Sequence, residues 1–327
     1  MNVLLWHVHG SWTTSFVAGR HQYLLPVLPD RGPDGRGRAQ TWDWPSGARE
    51  VVPGTLRDED VDVVVLQRPH EADLVEAWTG RRPGRDVPVV YLEHNAPTAH
   101  AVSTRHPSLD DERLLGSTVV HVTHFNALCW DNGTQPVRVV EHGIPDPGHR
   151  WTGEDASLAV VVNEPIRRTR VAGTDLVLDL AADLPLHAYG MGSDELGATA
   201  SKRGLRGLSP GTCHDVSQAE LHERLGRHRV YLHPYRWTSL GLSLVEAMTL
   251  GMPVLALSTT EAPEAVPPGT GVVTNNPSLL REVAKRWLHD RDEAERVGTA
   301  AREHALRRFG LDRFLADWDH LLEEATA

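Results

Sequence analysis

One carboxylate, Glu246, stands in a stretch that reads HRVYLHPYRWTSLGLSLVEAMTLGMPVLALSTTEAPEAV from His228 to Val266. Val230 to Leu232 is a short apolar run that predicts a buried strand, broken by His233-Pro234-Tyr235-Arg236 where a doubly wound sheet places its ligand crevice. Leu242, Val245, Ala247, Met248 and Leu250 then recur at helical spacing, and Gly251 with Met252-Pro253 stops them. Thr238 and Ser239 are capping residue types, so the helix is expected to begin beside them, with Glu246 near its start. The free backbone N–H groups of such a first turn, Ser239, Leu240, Gly241 and Leu242, can hold a phosphate without a basic side chain. Gly241 lets backbone approach a ligand closely. Arg167, Arg168 and Arg170 follow another apolar run, Leu158 to Val162, and guanidinium forks match phosphate oxygens. His94, after Val87 to Leu92, is placed at a strand's carboxyl end, from which an imidazole reaches a sugar hydroxyl or a phosphate.

The Glu246 stretch resembles the signature of the family 4 retaining glycosyltransferases of the GT-B fold, with Gly241, Leu242, Glu246-Ala247-Met248, Gly251, Pro253-Val254 and Pro263-Glu264 in register. The resemblance implies two glutamates with seven residues between them, the second on the nucleotide ribose and the first on the donor sugar. The second is Glu246; Thr238 stands in place of the first, and no Asp or Glu occurs from Arg224 to Val245. It also implies that His94 contacts the donor sugar, that Gly10 and Ser11 lie on the donor side, and that His9 and Trp12 touch the acceptor. In the arginine segment, Arg167 has the family arginine's spacing from Gly173. Ala172 replaces the family lysine, so Arg168 or Arg170 takes over its charge. Glu141-His142-Gly143-Ile144-Pro145-Asp146 resembles the stretch that closes the family's N-terminal domain.

These residues need elements to position them. Val3 to Trp6 reads as the first strand, and Val61 to Leu66, Val87 to Leu92 and Thr118 to Thr123 are short Val-rich runs, which predict parallel strands buried on both faces. Gly10 follows the first of them, without the Gly-x-Gly-x-x-Gly of a dinucleotide site. Residues 29–49 are rich in Gly, Pro, Arg and Asp and hold Trp42-Asp43-Trp44, a pair that either stacks on a sugar or pins the loop. His124 is a weaker candidate for the same crevice as His94. A linker near 147 separates residues 1–147 from 148–309, and a C-terminal helix over 310–327, with Leu311, Phe314, Leu315, Trp318, Leu321 and Leu322 on one stripe, is expected to return to the first domain.

With 327 residues, 40% of them hydrophobic, the chain suffices for two α/β domains. A net charge of −11 argues against nucleic acid as a partner. Cys129 and Cys213 suggest neither a disulfide framework nor a zinc site, and fit a reducing cytoplasm. The 19 histidines carry no metal-binding pattern, so no metal and no cofactor are expected. The expectation is therefore an α/β protein of two Rossmann-like domains facing across a cleft. It transfers a sugar from a nucleotide-diphosphate sugar to a small-molecule, glycan or lipid-linked acceptor, with peripheral membrane contact as an option. A non-catalytic sugar-nucleotide binder and a sugar-nucleotide epimerase are the alternatives.

Overall fold

A computed structural model of the chain describes residues 1–98, 100, 101 and 103–327. It divides into two units, Met1–Pro145 with Phe309–Ala327, and Asp146–Arg308. The first holds strands β1 (Asn2–Leu5), β2 (Gln22–Pro26), β3 (Ala48–Val51), β4 (Val63–Leu66), β5 (Val89–Glu93), β6 (Thr118–His121) and β7 (Val137–Val139). They form one parallel sheet in the order β3-β2-β1-β4-β5-β6-β7. The second holds β8 (Asp155–Val161), β9 (Leu186–Tyr189), β10 (Cys213–His214), β11 (His228–His233), β12 (Val254–Ala256) and β13 (Gly271–Val273), again parallel, in the order β10-β9-β8-β11-β12-β13. In each sheet the strand order reverses once, between β1 and β4 and between β8 and β11. Ligands of doubly wound sheets bind outside the carboxyl ends of the strands at that reversal.

Helices cover both faces, so the central strands read as unbroken apolar runs. All four side chains of β4 are 0% exposed, and burying each contributes about 1.5–3 kcal/mol. The last helix, Leu311–Thr326, lays Phe314, Trp318, Leu321 and Leu322 into the core of the first unit, against Trp12 and Phe16. Its entry is fixed by an Ile144 N–H to Phe309 C=O bond of 2.9 Å and by Arg313, which donates to the Glu141 and His142 carbonyls. A Cβ on Gly143 would collide with Phe314, which explains the glycine in that stretch.

Several elements depart from expectation. The arginine segment, to which the sequence assigns no element, is a helix, Pro165–Ala172, broken at Thr169 (φ 16°, ψ −93°). The helix after β11 begins at Leu242 with Gly241 as its uncapped N-cap, so Thr238, Ser239 and Leu240 lie in the preceding loop and Glu246 is the fifth helical residue. A 19-residue helix, Arg291–Phe309, and strands β2, β3, β10 and β13 are additions. Residues 29–49 fold back on themselves. Arg38 donates to the carbonyls of Trp44, Pro45 and Ala48, and the segment ends in β3. Among the described residues no helix is long and apolar enough to cross a membrane.

Candidate functional site

At the reversal in the second sheet, the loop after β11 is bound to the helical segment that follows β8. The Arg236 N–H donates to Val171 C=O (2.9 Å), and its guanidinium donates to Arg170 C=O (3.0 Å) and to Asp175 (2.8 Å). Gly173, at φ +73°, sits so close to Pro234 that a Cβ would strike the Pro234 carbonyl. Glu164, just before the arginine helix, holds φ 51° and ψ 51° without being glycine. Such a conformation costs about 1–3 kcal/mol and persists only where surrounding contacts fix it. Here the Glu164 N–H donates to Met191 C=O at 2.7 Å. Gly241 faces the buried His233 ring, with Cε1 2.6 Å from where a Cβ would stand. Burial pushes His233 down to about 4, so it is a neutral wall.

Glu246 is 8% exposed. Its Oε1 accepts from Gln218 Nε2 at 2.9 Å, and its Oε2 lies 3.8 Å from His222 Nε2. Both partners belong to the helix Gln218–Leu225 that precedes β11. The sequence signals only that helix's cap; it gives no hint that Gln218 and His222 meet a carboxylate 28 and 24 residues away. Thr238 is half-buried, while Ser239 and Leu240 are buried.

The three arginines differ. Arg167 forks onto Glu164 and is 70% exposed; Arg170 pairs with Asp175 at 3.1 Å. Arg168 has no carboxylate partner among the described residues and is half-buried, its guanidinium carbon 5.6 Å from the centre of the Tyr235 ring on the loop after β11. Of the three, it alone forms no ion pair with a carboxylate among the described residues, although Glu164 lies within range of its charge.

In the first unit, His94 and His9 meet at the carboxyl ends of β5 and β1, with ring centroids 4.0 Å apart, and His142 lies 6.4 Å from His94. Gln67 Nε2 donates to Trp6 C=O (2.7 Å), so its Oε1 must accept from His94 Nε2 (3.0 Å). His94 therefore carries its proton on Nε2, leaving Nδ1 an acceptor. Trp12, expected beside the acceptor, is instead core: it is 2% exposed and stacks on Phe16 at 4.7 Å. Trp44 pins its loop through a 2.9 Å bond to Thr14 Oγ1. Trp42 covers Gly10, its Cζ3 2.8 Å from where a Cβ would stand, so that glycine accommodates an indole ring. Ser11 is half-buried in the helix Gly10–Phe16, and His124 is exposed at the first turn of His124–Cys129.

Burial holds His94 well below 6.5, His142 and His228 at about 3, and His121 and His233 at about 4. The unfolded chain binds protons on these residues near pH 6.5 and the folded chain does not, so stability is retained above that pH and lost as pH falls toward 4. The slope is up to about 1.4 kcal/mol per pH unit for each histidine. Urea midpoints at pH 7.5 and pH 5 should differ strongly; equal midpoints would show that these rings are not held neutral.

Residues 171–304 match the family described as glycosyl transferases group 1. The match contains Gln218, His222, Thr238 to Leu242 and Glu246, and leaves out the three arginines. No curated protein sequence matches the chain. Among solved structures it is similar to sucrose-phosphate synthase from Thermosynechococcus elongatus (TM-score 0.69, 14% identity, covering 99% of this chain and 98% of that one). It is similar to HepE of Anabaena in complex with UDP (TM-score 0.74, 13% identity, 99% and 100%) and to a glycosyltransferase from Rickettsia africae (TM-score 0.68, 13% identity, 99% and 98%). The two parallel-stranded α/β sheets have the fold of these GT-B structures.

Proposed function

We propose that the chain is a glycosyltransferase that moves a sugar from a nucleotide-diphosphate sugar to a small-molecule or glycan acceptor, with retention of configuration and without a metal. The observation that carries this reading is the buried carboxylate of Glu246, held beside the β8/β11 reversal within the segment that matches group 1 glycosyl transferases. In this reading Glu246 accepts hydrogen bonds from the ribose hydroxyls. The first-turn amides of the helix at Leu242, with Arg168, neutralise the diphosphate as it departs. Preorganised donors at that position stabilise charge that develops only as the glycosidic bond breaks. His94, with Nδ1 as acceptor, orients a hydroxyl of the donor sugar. Attack on the face the diphosphate leaves accounts for retention without a protein nucleophile. A lipid-linked acceptor and peripheral membrane contact remain within the proposal. The similarity of the fold to a structure in complex with UDP supports trying that nucleotide first.

The test is incubation with UDP-, GDP- and ADP-sugars and an acceptor panel, following nucleoside diphosphate release and the anomeric configuration of the product by NMR. Release with an axial-to-axial or equatorial-to-equatorial product supports the reading; inversion removes the retaining mechanism. Thr238 in place of a carboxylate favours a second reading, a protein that holds a sugar nucleotide without turnover. Binding without release would select it. Arg168→Ala is expected to weaken the nucleoside diphosphate about tenfold, as for loss of one charge-assisted hydrogen bond, and to leave the nucleoside itself nearly unchanged. Equal effects on both would take Arg168 out of the diphosphate site.

A further inference from the structure

We propose that Gln218 and His222 are positioning residues for the donor's ribose: His222 fixes Gln218, and Gln218 fixes the Glu246 carboxylate so that Oε2 is presented to the vicinal hydroxyls. This rests on the nucleotide-sugar reading of Glu246. Gln218 and His222 are four residues apart on one helix and so face the same way. Gln218 Nε2 is 2.9 Å from Glu246 Oε1 and 2.8 Å from His222 Nε2. A carboxylate only accepts, so the amide must turn its NH₂ toward Glu246; the flipped amide would set two acceptor oxygens against each other. The second N–H of the same NH₂ then meets His222 Nε2, which must be an unprotonated acceptor, with the imidazole proton on Nδ1. Both amide protons are thereby engaged, and Oε1 is held.

Glu246 Oε2 is different. At 3.8 Å from His222 Nε2, whose lone pair already accepts from Gln218, it has no hydrogen bond within the triad. The His222 and Glu246 side chains are only 15% and 11% exposed, so a carboxylate oxygen with no hydrogen bond among the described residues is poorly solvated there and suited to a hydroxyl donor. Rotation of the carboxylate would break the Gln218 bond. The triad thus converts a freely turning side chain into an acceptor of fixed direction, which discriminates a ribose from a deoxyribose by whether a hydroxyl meets it.

The experiment titrates the intact protein with the nucleoside diphosphate it binds and with the 2′-deoxy and 3′-deoxy forms, using wild type, Glu246→Ala, Gln218→Ala, His222→Ala and His222→Gln. Wild type is expected to prefer the ribonucleotide over at least one deoxy form by about tenfold or more. Gln218→Ala should erase most of that ratio by weakening the ribonucleotide while the deoxy form binds as before. His222→Ala should act in the same direction, and His222→Gln, which supplies an acceptor for the Gln218 amide, should restore part of it. Equal weakening of ribo and deoxy forms would reduce the pair to a packing role and overturn the proposal. So would an unchanged ratio in both alanine variants while Glu246→Ala loses binding, and that outcome leaves the nucleotide-sugar reading standing. If wild type binds no nucleotide, the underlying reading fails first.

Discussion

Gly173→Ala should lower the melting temperature markedly and abolish nucleotide binding together. Gly173 holds φ +73° between the arginine helix and the helix Thr174–Leu180, and a Cβ there would enter the Pro234 carbonyl. The left-handed backbone alone costs a non-glycine residue about 1–2 kcal/mol, and crowding a packed site adds roughly 1–3 kcal/mol. For a unit of this size, a loss of about 3 kcal/mol is a fall of roughly 6–12 °C. The collision cannot be relieved locally, because Pro234 belongs to the loop that Arg236 fastens to Val171 and Asp175. Relief moves the loop that leads to Gly241 and Glu246, so binding fails with stability. Calorimetric melting and nucleotide titration of the same preparation check both; a melting temperature within one or two degrees of wild type would show that the two loops are not packed as described.

Glu246→Gln should separate the two properties that Gly173→Ala joins. Glu246 is 8% exposed, and its carboxylate is held by the neutral amide of Gln218, with no formal cation in hydrogen-bond contact among the described residues. Removing the charge relieves part of a desolvation cost, so stability is expected to change by no more than about 1 kcal/mol. Nucleotide affinity and the transfer rate should each fall, because hydrogen bonds to a charged acceptor contribute about 1.5–3 kcal/mol, a factor of roughly 10 to 100. Melting and turnover assays on the variant decide. Preserved affinity with preserved stability would remove Glu246 from the site.

The strands are legible where they are buried on both faces, since β4 and the Leu158–Val161 part of β8 are apolar runs that no surface element would tolerate. Ala48-Arg49-Glu50-Val51 and Cys213-His214 carry no such pattern: they are edge strands, held by pairing with one neighbour each. The helix start was misplaced because Thr238 and Ser239 are good caps whose loop is committed elsewhere. Arg236 ties it to Val171, and the Thr259 hydroxyl donates to Tyr235 C=O at 2.7 Å. The resemblance puts Gly10 on the donor side, but the group that approaches it is Trp42. The arginines are visible as a cluster, whereas their division into two salt-bridged residues and one with its charge over the Tyr235 ring depends on a helix broken at Thr169, which has no apolar periodicity to announce it. Gln218 and His222 were hidden for a simpler reason: hydrogen bonds between residues far apart in sequence leave no periodic trace.

Calorimetric titration of the intact protein and of Glu246→Ala with UDP, GDP and ADP in turn bears most directly on the proposed donor site. The expected result is micromolar binding of one nucleotide, weakened about tenfold or more by the substitution. Absence of binding by all three, or equal affinity for wild type and variant, would contradict it and leave the chain with the fold alone.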